Sequence, residues 1–143
     1  MSDMYLTNTV GLFMVTKECL PLLKAASKLA GKEPYMSVNR ASIVSISAQI
    51  ASMNLENNMA KKHGYTMSKA ALNMMTKNLS TELKRDKILC VSMHPGWVRT
   101  DMGGDQAQLS VEESVQGMYG VLGSLGESET GTFFGYDGQE IDW

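Results

Sequence analysis

The chain carries 143 residues, 43% of them apolar and 20% charged, a balance that suits one compact soluble domain. Thirteen basic against fifteen acidic side chains leave a formal charge of −2 with no basic block, which excludes the electrostatic footprint of a nucleic-acid binder. The densest apolar stretch, Val10 to Val15 with Gly11 inside it, falls far short of the roughly 20 residues that cross a bilayer and lacks the flanks of a secretion signal, so a cytoplasmic protein without membrane contact is expected. Cys19 and Cys90 read as two buried reduced thiols, His63 and His94 have no companion at ligand spacing and so predict no metal site, and the twelve methionines read as adaptable packing.

From Asp3 to about Ala30, Leu6, Val10, Phe13, Met14, Leu20, Leu23 and Leu29 recur at helical spacing and predict one long buried helix, bent at Pro21 and ended by Gly31. Lys32 to Arg40 is aperiodic and predicts a loop. Ala41 to Ala48, small and apolar, predicts a strand buried on both faces as in a parallel sheet. The polar, Asn-rich stretch from Gln49 to Gly64 is longer than scaffolding needs and is expected to line a site. Between Tyr65 and Lys84, Leu72, Met75, Leu79 and Leu83 form an apolar stripe, with Lys69, Asn73, Lys77 and Ser80 away from its centre. Ile88 to His94 predicts a second buried strand, closed by Pro95-Gly96. Ser110-Val111-Glu112-Glu113 is a capping box that starts a third helix running to about Leu125. Thr132 to Tyr136 predicts a third strand, followed by an Asp137-Gly138 turn.

This alternation belongs to an α/β fold with a parallel sheet. Three strands are few for a doubly wound domain, and the first would present an unpaired edge.

Tyr65-Thr66-Met67-Ser68-Lys69 places a Tyr and a Lys four apart, on one face of a helix. Five tyrosines and ten lysines give about 0.35 such pairs by chance, so the pair alone says little. Its chemistry is nonetheless definite: an ammonium beside a phenol stabilises the phenolate and makes the Tyr a usable acid or base near neutrality. Ahead of the pair stand Asn8-Thr9-Val10-Gly11 and the strand Ile43-Val44-Ser45-Ile46-Ser47, and after it Pro95-Gly96-Trp97-Val98-Arg99-Thr100. In this order and spacing the set resembles the short-chain dehydrogenase/reductase family. The final third, with Asp101-Met102-Gly103-Gly104 and Gly131-Thr132-Phe133 to Trp143, is similar to its branch of sniffer and C-factor-like carbonyl reductases.

The resemblance implies a Rossmann-like doubly wound parallel sheet, of which residues 1–143 would form a single partial domain holding the last three strands and their helices. It implies NADP(H) as cofactor and a small carbonyl compound as substrate. Tyr65 would donate the proton, Lys69 would lower the Tyr65 pKa and hold the nicotinamide ribose, and Asn8 would anchor a relay water. Pro95, Gly96, Val98 and Thr100 would hold the nicotinamide end, and Trp97 with the Gln49–Gly64 loop would border a pocket for a small aldehyde, ketone or quinone.

Two features depart from the family pattern. The position of the family's carbonyl-orienting Ser is Ala48, which leaves Ser52, Ser47 or no serine at all in that role. No Gly-rich strand-helix turn of a dinucleotide fingerprint occurs, so about 100 residues carrying the first strands are expected upstream, and the chain alone is expected to be inactive. The alternatives are a non-catalytic relative that dimerises through its first two helices, and an orphan fragment without a stable fold.

Overall fold

β1 (Ser42–Ile46), β2 (Leu89–His94) and β3 (Phe133–Gly135) lie side by side in a parallel sheet of order β1-β2-β3, in a computed structural model that describes residues 2–31, 35–54 and 62–143. The register runs from Ser42 opposite Leu89 to Ile46 opposite Met93, and from Ser92 opposite Phe133 to His94 opposite Gly135. Side chains alternate across the pleat, so each strand feeds two layers. On one face Leu89, Val91, Met93 and Phe134 pack with Leu125 and with Met118, Val121 and Leu122 of α4 (Val111–Ser124). On the other, Ile43, Ile88 and Cys90 pack with Leu79 and Leu83, and with Leu20 and Leu23 of the N-terminal helix. Cys90 is buried, which pushes its thiol pKa up to about 12.

α3 (His63–Glu82) covers the second face and is followed by a 3₁₀ turn, Lys84–Asp86. Leu72 and Leu79 are buried as its stripe requires, yet so are Ser68, Asn73, Thr76 and Ser80. Asn73 and Ser80, away from the centre of the apolar stripe, are thus buried as well. The helix lies flat on small strand residues, which admits a wider buried face than the apolar stripe alone marks. At α4 the capping box forms in full: Glu113 N–H donates to Ser110 Oγ at 3.1 Å, and Ser110 N–H donates to Glu113 Oε2 at 2.7 Å.

The N-terminal helical run begins as α1 (Ser2–Tyr5), loosens to π geometry over Leu6–Gly11 and resumes as α2 (Leu12–Leu29), which continues through Pro21. Gly31, at φ +77°, follows its C-cap Ala30. The run is not buried as expected. Ser27 is the one buried residue of α2, while Leu6, Val10, Phe13, Val15 and Leu29 are exposed. An amphipathic stripe records that a helix has an apolar face without recording what covers it. Cys19 is likewise exposed, not buried. Met4, Met14, Met53, Met67, Met74 and Met102 are exposed as well, so much of the methionine excess is surface rather than packing.

β1 is shorter than Ala41–Ala48 and is not buried on both faces along its length: on the face away from α3, Val44 packs against the α4-side core while Ile46 is 45% exposed. The segment from Gln49 opens with a 3₁₀ turn, Gln49–Ala51, and α3 begins at His63; residues 55–61 of that expected loop, and Lys32 to Pro34 of the preceding one, lie outside the described residues. Past β3 the chain turns and runs back along its outer edge, where Gly135 N–H donates to Gln139 O and Ile141 N–H to Phe133 O, both at 2.8 Å. Trp143 stacks on Phe133 with ring centroids 5.8 Å apart, lies 5.6 Å beneath the Lys77 ammonium, and accepts from Met53 N–H.

Candidate active site

Tyr65 stands in the first turn of α3, and Lys69 one turn later on the same face, its Nζ 5.9 Å from the Tyr65 ring centroid. The Lys69 ammonium donates to Ile46 O at 2.7 Å, at the end of β1. An ammonium has three N–H bonds, so capacity for two more acceptors remains there. Burial pushes the Tyr65 pKa above its ordinary value and the Lys69 pKa below its own. Desolvation by burial is the cause of the Tyr65 shift in the chain as it stands.

The π segment brings Asn8 to the same turn. Asn8 Nδ2 donates to Ser68 Oγ at 3.1 Å, Ser68 Oγ donates to Tyr65 O at 2.8 Å, and Thr9 Oγ1 donates to Ser68 O at 2.9 Å. Asn8 is thus tied to the turn that carries Tyr65 and Lys69. Ser68 was missed by sequence reasoning, although a small hydroxyl three residues after Tyr65 shares its face. The π turn has no sequence signature in composition or periodicity; such turns concentrate at functional sites.

The serine candidates fare differently. Ser47 N–H donates to Met93 O at 2.8 Å, so the parallel ladder continues without a bulge and Ser47 keeps the α3 face that alternation assigns it. Ser52 is buried and accepts from Asn54 N–H at 3.3 Å. Ala48 opens the 3₁₀ turn between them.

The loop after β2 closes on itself. Trp97 Nε1 donates to Gly103 O at 2.8 Å, Arg99 Nη1 donates to Ala107 O and Gln108 O, and Leu109 N–H donates to Trp97 O. Pro95 O accepts from Ser114 Oγ at 2.6 Å, and Val98 bridges to Leu109. The Thr100 hydroxyl is engaged within the turn, donating to Val98 O and accepting from Gly103 N–H. Beside this loop, at the carboxyl ends of β2 and β3, lies a cavity of about 570 Å³, in the size range of small-molecule sites. Gln49, Asn54, His94, Gly96, Trp97 and Tyr136 are among its walls. Trp97 and the start of the Gln49 segment border it as expected, whereas Tyr65 and Lys69 stand outside its wall, at the end of β1. The structure therefore gathers Tyr65, Lys69 and Asn8 in one cluster and Gly96 with Trp97 in another, both at the carboxyl edge of the sheet, where ligands of open α/β sheets bind.

The family model for short chain dehydrogenase matches residues 1–109. The chain belongs to the short-chain dehydrogenase family. The chain is 44% identical to the carbonyl reductase Sniffer of D. melanogaster, with a TM-score of 0.94 over 99% of its length and 56% of that chain. It is 37% identical to an NADPH-bound carbonyl reductase from chicken fatty liver, with a TM-score of 0.93 over 99% of its length and 54% of that chain. It is also 47% identical, over 81 residues, to the C-signal of Myxococcus xanthus, a match covering 57% of this chain and 49% of that protein. The chain thus falls in the Sniffer-like carbonyl-reductase branch and spans about half the length of the relatives it matches. Its three strands are the C-terminal three of the Rossmann-like sheet.

Proposed function

We propose that the chain, as a single partial domain over residues 1–143, supplies the substrate and proton-donating half of an NADP(H)-dependent carbonyl reductase acting on a small aldehyde, ketone or quinone. The observation that carries this reading is the cluster at the end of β1: Tyr65 and Lys69 on one face of α3, with Asn8 tied to the same turn through Ser68. The likeness to the Drosophila and chicken carbonyl reductases supports it. The residues fit the nicotinamide end of the dinucleotide, since Lys69 retains donors for ribose hydroxyls and Pro95, Gly96, Val98 and Thr100 form a closed loop beside it. When bound, NADPH would supply the hydride to the carbonyl carbon.

Tyr65 gives its proton to the carbonyl oxygen, and burial favours that direction by keeping the phenol protonated at neutral pH. Lys69 orients the ribose from its place on Ile46 O, and Asn8 anchors a water of the proton relay. Ala48 has no hydroxyl to orient the carbonyl. Ser52 and Ser47 remain candidates, and with neither in reach the rate falls by about 100-fold.

Cytoplasmic residence belongs to the same reading, because the exposed Cys19 thiol persists reduced in that compartment; among the described residues no helix is long and apolar enough to cross a membrane. The exposed apolar residues of the N-terminal helical run, with Met67 and Met74 exposed on α3, favour a second role, a homodimer through the first two predicted helices, that run and α3, which in a non-catalytic relative would be the function itself.

The test joins the nucleotide-binding half of a homologous carbonyl reductase ahead of Met1. In that chimera Tyr65→Phe removes nearly all carbonyl reduction while preserving ring packing, and Lys69→Met cuts it severely. Near-normal turnover in either variant dismisses the assignment.

A further inference from the structure

Among the described residues, five buried side-chain atoms meet no protein partner: Ser47 Oγ, Ser92 Oγ, Asn73 Nδ2 and Oδ1, and His94 Nδ1. A buried polar atom left dry forfeits the hydrogen bonds it made to water in the unfolded chain, so such atoms are ordinarily matched.

These five atoms are gathered in one place. Ile43 and Cys90 pack beneath α3, and Thr76 Oγ1 donates to Ser45 Oγ at 2.8 Å, so alternation turns the odd-numbered residues of β1 and the even-numbered residues of β2 toward that helix. Ser45 stands opposite Ser92 in the register, and the Ser47 N–H to Met93 O bond carries the ladder one step further, setting Ser47 beside His94. Four polar side chains thereby mark a rectangle about 5 Å across the strands and about 7 Å along them. Asn73 roofs it. Lys69 and Thr76, a turn before and after Asn73 on α3, reach Ile46 O and Ser45 Oγ, which fixes Asn73 over the end of β1. Asn73, Ser47 and Ser92 are only 3%, 3% and 0% exposed.

We propose that this polar cluster between α3 and the sheet is a built-in water site, in which about two molecules bridge Asn73 to Ser47, Ser92 and His94 Nδ1. Water matches the lining: the amide offers a donor and an acceptor, each hydroxyl can be either, and a neutral imidazole accepts at Nδ1. An ion fits less well, because the orphaned atoms are all neutral amide, hydroxyl and imidazole groups with no charged side chain among them. The site stands apart from the reading of Tyr65 as a proton donor. It joins the helix that carries Tyr65 to the carboxyl ends of β1 and β2, and His94 is shared between it and the wall of the cavity.

A high-resolution crystal structure of the full 143-residue chain tests this directly. Ordered water within hydrogen-bond reach of the Asn73 amide and of at least one of Ser47, Ser92 and His94 is the expected result. A dry gap, or side chains turned to bond one another, overturns the proposal. Thermal unfolding at one protein concentration gives a second readout. Asn73→Leu, which keeps the branched heavy-atom skeleton and removes the amide, should lower Tm by about 3–8 °C, and by less in a Ser92→Ala background, since the two residues share water. An Asn73→Leu chain that melts above wild type shows that the amide was dry, and strictly additive losses show that no water is shared; either overturns it. Should Asn73→Leu fail to fold, the cycle between Ser47→Ala and Ser92→Ala makes the same comparison with single hydroxyls.

Discussion

Gly96→Ala perturbs the loop that walls the cavity at a position where two costs combine. Gly96 sits at φ +83°, and a Cβ there would stand 2.3 Å from Leu109 Cδ1 and 2.9 Å from the Tyr136 ring. Left-handed backbone costs an alanine about 1–2 kcal/mol. Displacing Leu109 and Tyr136 costs about 1–3 kcal/mol more, for about 2–5 kcal/mol in all. In a domain of this size that lowers Tm by about 6–15 °C. Two other glycines separate the contributions. Gly31, at φ +77°, has nothing within 4 Å of an added Cβ, so Gly31→Ala bears the backbone cost alone. Gly120, inside α4, also has open space, and Gly120→Ala should gain about 0.5–1 kcal/mol from helix propensity. Circular dichroism melts at one protein concentration should therefore rank Gly120→Ala above wild type, Gly31→Ala below it and Gly96→Ala lowest. Gly96→Ala melting with or above Gly31→Ala would refute the packing argument.

NADPH titrated against the chain alone should give no saturable micromolar binding by energy transfer from Trp97, since only the nicotinamide end has candidate contacts; saturation in that range would mean that a second chain or an unrecognised site completes the cofactor cradle. Sedimentation velocity should show self-association, driven by the open β1 edge and the exposed apolar residues of α1 and α2, and a monodisperse, cooperatively unfolding monomer would contradict it. Ser110→Ala should destabilise by about 1 kcal/mol through loss of the α4 cap. Glu113, whose pKa is held below the usual glutamate range chiefly by its bond from Ser110 N–H, adds stability above that range and loses it as pH falls through the lowered folded value. Wild type and Glu113→Gln should therefore differ in Tm at neutral pH and converge in acid; a gap that stays constant with pH would refute the linkage.

The elements whose signals are local were legible in the sequence. The capping box names its own donors and acceptors, Pro95-Gly96 ends β2, and the α3 stripe from Leu72 to Leu83 needs only the sheet beneath it. What escaped depends on partners distant in the chain. Asn73 and Ser80 are buried because α3 lies flat on small strand residues, which no helical period can report. The helical run from Ser2 to Leu29 has a strong apolar pattern and little cover, because a pattern gives the face and not its neighbour. At the candidate site, Tyr65 and Lys69 share a face as their spacing requires. Ser68 as the link from Asn8 needed the π turn, and the raised Tyr65 pKa needed the burial of a ring.

The two edges of the sheet are unequal. The outer edge of β3 is taken up by the returning segment, whose Gln139 O and Ile141 N–H satisfy it, whereas among the described residues no strand pairs with the outer edge of β1. A sheet with two open edges can add copies at either side and grow into a filament; a sheet with one can only meet the same edge of another copy across a two-fold axis. Strand pairing between copies of the 143-residue chain is therefore closed at two, and the β1 edge that such a pair would use is the same edge that the first strands of a Rossmann-like sheet would occupy.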